Sequence, residues 1–215
     1  TYLQIGYWHD SLTLLRHTKS VTADSATIHE FLGGAEVAEG DPSEAVKELE
    51  QAVSFSPTYG PVQVSLGTAY QKLNRLDEAA AHYRKAIELG ERSRELYVDL
   101  GTVLFNRGQI EEAKPQYLQA LEIDPNFVPA IINLGIASLA SGDNAGAIAY
   151  AERALKLNPN LVHCHICIAN ALRAQGHFDE ALRHLQQANE IQPNDPAVLD
   201  EMARTRSMQQ NSSEH

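Results

Sequence analysis

The chain has 215 residues, 43% hydrophobic and 21% charged, a globular composition with ample length for a core. Its formal net charge of −11 comes without a basic stripe to neutralise phosphates, which excludes nucleic acid as the expected partner. No run of about 18 apolar residues occurs, which argues against membrane insertion of this segment, and two cysteines, Cys164 and Cys167, are too few for a disulfide scaffold.

A period of 34 residues organises the chain from residue 26 onward and predicts helix pairs throughout. The sequence starts at Thr1 without a methionine, which reads as a fragment or processed product and leaves the compartment open. Residues 1–25 fall in phase as the second helix of a partial repeat, with Ser11 at position 20, Leu15 at 24, Thr18 at 27 and Ala23 at 32. Trp8, Leu12, Leu14 and Leu15 offer more apolar surface than one neighbouring repeat covers, so homo-oligomer formation through this N-terminal helix is expected. Full repeats follow at 26–59, 60–93, 94–127, 128–161 and 162–195. Residues 196–209 then predict a capping helix with Val198, Leu199 and Met202 on one side, and residues 210–215 a disordered tail.

Physical reasons stand behind the registered columns. Position 8 reads Gly33, Gly67, Gly101, Gly135 and Ala169, and position 20 reads Ala45, Ala79, Ala113, Ala147 and Ala181. Small residues there let two antiparallel helices approach where their axes cross, and Ala52, Ala86, Ala120, Ala154 and Ala188 at position 27 serve the contact with the next repeat. Positions 3 (Ile28, Val62, Leu96, Ala130, Cys164) and 7 (Leu32, Leu66, Leu100, Leu134, Ile168) share one helical face and predict the core. Near position 15, Gly40, Asn74, Gly108, Gly142 and Gly176 suit the left-handed conformation that ends a helix. Acids open several second helices, as in "LDEA" and "FDEA", and Pro57, Pro125, Pro159 and Pro193 at position 32 end them, with Glu91 as the exception.

These columns resemble the tetratricopeptide-repeat family, whose pattern sets Leu-Gly at 7 and 8, Ala at 20 and 27, and Pro at 32. The resemblance covers about four-fifths of the chain. It implies an all-α fold, a right-handed α-solenoid of antiparallel helix pairs with a C-terminal capping helix, acting as a scaffold that holds a protein or peptide partner and not as an enzyme. A second resemblance rests on Tyr7, Trp8, Asp10, Ser11 and Leu15 in "GYWHDSLTLLRHTKSVTADSA". This segment is similar to the junction that precedes C-terminal repeat domains in bacterial glycosyltransferase-like membrane proteins. It implies an accessory, non-catalytic domain on the extracytoplasmic (periplasmic) side of a membrane protein; without it the expectation is cytoplasmic. A self-assembling structural solenoid is a third reading.

Nothing in the sequence carries chemistry. Phosphate-cradling glycine loops and a nucleophile elbow are missing, and "HEFLG" at His29–Gly33 lacks the second histidine of a zinc-protease helix. In "VHCHIC", His163, Cys164, His165 and Cys167 include soft ligands, yet Cys164 shares the apolar column at position 3 and no other repeat supplies converging ligands. No catalytic residue, metal ligand or cofactor is therefore expected.

The family resemblance implies a ligand groove along the first helices, lined by positions 2, 5, 6, 9, 12 and 13. Carried onto this sequence, it selects Phe31, Val64, Thr68, Val98, Asp99, Thr102 and Phe105, then Ile132, Asn133, Ile136, Ile166, Asn170 and Arg173. A β-branched aliphatic recurs at position 5 in four successive repeats, Val64, Val98, Ile132 and Ile166, so the groove is expected to be aliphatic. The alternative is that these side chains pack against neighbouring helices. Glu30, Glu95 and Asp99 make the first half acidic, implying that one end of the ligand is basic.

Overall fold

A computed structural model describes residues 11–21 and 25–213; Tyr7, Trp8, Asp10 and Ala23 of the leader lie outside them. The described residues form twelve helices and no strand. The chain divides into two compact units, residues 1–107 and 108–215. The first contains α1 (Ser11–Val21), α2 (Ala26–Glu39), α3 (Pro42–Phe55), α4 (Gly60–Lys72), α5 (Leu76–Glu88) and α6 (Arg94–Asn106). The second contains α7 (Ile110–Ile123), α8 (Val128–Ala140), α9 (Asn144–Leu157), α10 (Val162–Ala174), α11 (Phe178–Ile191) and α12 (Pro196–Ser213).

Within the first unit α2 packs on α3 and α4 on α5, and the first helices α2, α4 and α6 touch in succession. The second unit repeats this with the pairs α8/α9 and α10/α11 and with α8, α10 and α12 side by side. Side-chain caps start several of these helices. Ser25 accepts from the Ile28 N–H at 3.4 Å, Asp41 from Ser43 at 2.8 Å, Ser93 from Leu96 at 3.1 Å and Asp143 from Gly146 at 2.9 Å. Second helices stop two residues before the position-32 prolines, and where Glu91 stands instead, Gly90 closes α5 at φ +102°.

The periodic core forms as read. Positions 3 and 7 are buried throughout, Cys164 included, and the alanines at 20 and 27 have no exposed surface. Position 8 is less uniform. A Cβ added to Gly33 would sit 2.5 Å from Leu49 Cγ, and one added to Gly67 would sit 2.5 Å from the Tyr83 ring. At Gly135 the nearest atoms lie at 3.6 Å, ordinary contact distance, because the residue facing it from α9 is the small Ala151.

Three expectations are corrected. Asn74, Gly108, Gly142 and Gly176 take positive φ, but Gly40 has φ −113°. In the turns after α4, α8 and α10 the position-16 N–H (Arg75, Asp143, His177) bonds the backbone carbonyl of position 11 (Tyr70, Ser138, Leu172). In the first repeat the equivalent N–H of Asp41 bonds instead the side chain of Glu36, at 3.0 Å, and that carboxylate also receives Arg16 of α1 at 2.6 Å. The carboxylate lies over Gly40, where a Cβ would be 1.9 Å from it, so glycine is required by space and not by handedness. Secondly, α12 continues through Gln210–Ser213, residues assigned to a disordered tail. Thirdly, Leu199 is 45% exposed; Val198 and Met202 face α10 and α11, and the third inward residue is Thr205, fully buried. Leu12, Leu14 and Leu15 of α1 are half-buried.

Candidate functional site

In the first unit, the first-helix face runs over α2, α4 and α6. Phe31 on α2 is 59% exposed, a large apolar side chain left open on this face. On α4, Val64 and Thr68 are half-buried; the Thr68 hydroxyl donates to the Val64 carbonyl at 3.1 Å and lies 3.2 Å from the Tyr83 hydroxyl. Tyr83, buried on α5, donates to Gln71 Oε1 at 2.8 Å. On α6, Val98 is buried while Asp99, Thr102 and Phe105 are half-buried. Burial and, after it, the negative charge of Glu95 push the Asp99 carboxyl up to about 6. Burial drives the Tyr83 phenol well above its usual range, with the Thr68 hydroxyl opposing and Asp99 adding to the shift.

The second unit presents Ile132, Asn133 and Ile136 on α8, one turn of helix, with Ile132 and Asn133 half-buried and Ile136 38% exposed. On α10 the same columns are partly used by the cap. Ile166 packs on a cluster of Val162, Ala188 and Val198, and Arg173 pairs with Glu201 and Thr205 of α12. Asn170 is half-buried, and its side-chain oxygen has no partner among the described residues. The expected groove residues thus fall on first helices of both units, Phe31, Val64, Thr68, Val98, Asp99, Thr102 and Phe105 in one and Ile132, Asn133, Ile136, Ile166, Asn170 and Arg173 in the other.

The "VHCHIC" segment separates into ordinary roles. Cys164 and Cys167 are buried, and burial pushes both thiols up to about 11, Cys164's charge adding to the shift at Cys167. His163 is exposed; His165 is buried with its Nδ1 3.3 Å from Nδ1 of His184 on α11. Among the described residues no group of three or more His, Cys, Asp or Glu could hold a metal ion.

The sequence reading missed a polar column joining the two helices of a repeat. Positions 4 and 23 supply His29 to Glu48 at 2.7 Å, Gln63 to His82 at 2.7 Å, and His165 to His184. The signal was present as three polar residues in a column that elsewhere holds Tyr97 and Ile131. It missed Tyr83 as well, whose hydroxyl joins Gln71, a position-12 residue, to Thr68.

Helix pairs in 34-residue register, with a continuous first-helix face in each unit, define a tetratricopeptide-type α-solenoid, the class of repeat that scaffolds protein–protein interactions and is generally non-catalytic. The family model described as the tetratricopeptide repeat protein 21 N-terminal ARM repeat matches residues 2–211, and the chain belongs to that family. Among solved structures it is similar to YrrB, described as a TPR protein with an unusual peptide-binding site, at TM-score 0.75 and 19% identity over 89% of this chain and 97% of that one. It is similar too to MamA in the form MSR-1 C2, at TM-score 0.70 and 27% identity over 77% and 95%. PilF of Pseudomonas aeruginosa matches at TM-score 0.70 and 22% identity over 86% and 87%. A search of curated proteins found no match. Among the described residues no helix is long and apolar enough to cross a membrane.

Proposed function

We propose that the protein is an interaction scaffold whose first-helix faces grip a peptide or protein segment. The observation that carries this is the apolar strip on α8, where Ile132 and Ile136 stand one turn apart and Ile136 remains 38% exposed on a face otherwise poor in charge. The equivalent face of the first unit offers Phe31, Val64, Thr68, Val98, Asp99, Thr102 and Phe105 as a second contact surface. The peptide-binding site of YrrB, a protein of similar fold, supports the same reading. An amphipathic or extended segment would place apolar side chains against the strip and leave its polar side in water.

Ile132→Asp tests it. A library of random peptides is panned against the full chain, and the affinity of selected clones is measured by fluorescence anisotropy. The substitution sets a charge against an apolar ligand and should weaken binding by about 2 kcal/mol, roughly 30-fold. Glu112→Lys, an exposed position on the second helix α7, should change affinity by less than about 0.5 kcal/mol. Unchanged affinity in Ile132→Asp, with helix content intact by circular dichroism, removes α8 as the contact surface.

A further inference from the structure

Resting on that reading, the first unit's face specifies what kind of side chain it takes. Asp99 is half-buried on α6, yet no hydrogen bond or ion pair reaches its carboxylate from any described residue. The polar groups beside it are already engaged: Tyr83 donates to Gln71, and Thr68 donates to the Val64 carbonyl. Cations on these helices or at their ends are committed elsewhere. Arg94 holds Glu95 at 2.8 Å, Lys72 reaches the Val37 carbonyl, and Arg107 holds Asp77 at 2.5 Å. Glu95, one turn before Asp99, adds negative charge beside it, and Glu30 on α2 is a further acid of the first-helix series.

A carboxylate taken partly out of water costs free energy unless a cation or donors meet it. Here neither comes from the chain, while half-buried Val64 on α4 furnishes aliphatic surface on the same face. An arriving ammonium or guanidinium would make a charge-assisted hydrogen bond in a screened environment, and its methylene stem would lie against Val64. A deprotonated acid with an intact donor shell would offer a basic side chain much less. We propose that the first-helix face of the first unit binds a peptide segment carrying a lysine or arginine, anchored on Asp99.

The test uses the full chain and two random peptide libraries that differ only in a fixed central residue, lysine in one and its uncharged isostere norleucine in the other. The lysine library should bind about 10-fold more tightly near neutral pH, a preference of about 1.4 kcal/mol. Asp99→Asn should abolish that preference, whereas Glu111→Gln, which removes an exposed acid on α7 and so the same formal charge, should retain it. Lowering the pH from about 7.5 to about 5 should erode the preference in the native chain as Asp99 takes up its proton, and leave Asp99→Asn flat. A preference that survives Asp99→Asn, or that falls equally in Glu111→Gln, overturns the assignment, because net charge alone then explains it. Equal binding of both libraries overturns the basic anchor while the face reading stands. Binding of neither overturns both.

Discussion

Adding one methyl group at position 8 should have opposite effects in two repeats. At Gly135 a Cβ meets nothing nearer than 3.6 Å, so Gly135→Ala gains the helix propensity difference of about 1 kcal/mol and buries a methyl in space left by Ala151. The net gain expected is about 1–2 kcal/mol. At Gly67 the same Cβ would lie 2.5 Å from a Tyr83 ring that is fully buried and held at its hydroxyl by Gln71 and Thr68. The ring has nowhere to swing, and overpacking of this kind costs about 1–3 kcal/mol, enough to outweigh the propensity gain. Urea denaturation of each variant, read as the shift in midpoint at unchanged slope, measures both. A Gly135→Ala variant that loses stability, or a Gly67→Ala variant that gains it, refutes the idea that the facing residue at position 24 decides which small residue position 8 tolerates.

Asp99→Asn should stabilise the unbound protein near pH 7.5. A carboxyl raised from 3.8 to about 6 in the folded state is penalised whenever pH exceeds that range, by up to about 3 kcal/mol at about 1.4 kcal/mol per pH unit. The penalty disappears below the unfolded value, so the gain should vanish near about pH 3; a gain independent of pH in denaturant titrations would refute it. The His165–His184 pair gives a second pH dependence of opposite slope. Burial holds both imidazoles below 6.5, with His165 lowering His184 further against the pull of Glu152 and Glu180 and alongside Arg183. The unfolded chain therefore binds protons first, and stability should fall as pH drops through about 6.5 and stay lost below it. His165→Gln would recreate the Gln63–His82 pairing of the second repeat, and its denaturation midpoint should fall less between about pH 7.5 and about pH 5 than that of the native chain. An equal fall would refute the assignment.

The fold was legible because its determinants recur: a small residue where two helices cross shows itself when it is seen at the same register in every repeat. Residues that depart from the period were not. Val64 and Val98 share a column, but Val98 is buried and Val64 half-buried, a difference set by neighbours from other helices and not by the residue type. Ile166 reads like Ile132, yet α12 docks beside it and supplies Val198 to its cluster. Arg173 finds Glu201, 28 residues on, in a helix outside the repeat. Asp99 was readable as an acid on the ligand face, but its lack of a partner is a fact about three-dimensional neighbours. Glu36 was hidden for a related reason, since its column otherwise holds Tyr70, Leu104, Ser138 and Leu172 and gives no warning of a carboxylate folded back over a turn.

That turn has a consequence for how the N-terminal edge of the protein would respond to damage. In the turns after α4, α8 and α10 the reversal between helices is closed by main-chain carbonyls, which no point substitution removes; between α2 and α3 the equivalent N–H is held by the side chain of Glu36, whose second partner, Arg16, belongs to the preceding helix. Loss of α1 would therefore take Arg16 from the Glu36 carboxylate and leave it the Asp41 N–H. A bend held in this way is open to point substitution: Glu36→Ala would remove the acceptor of the Asp41 N–H and the partner of Arg16 together.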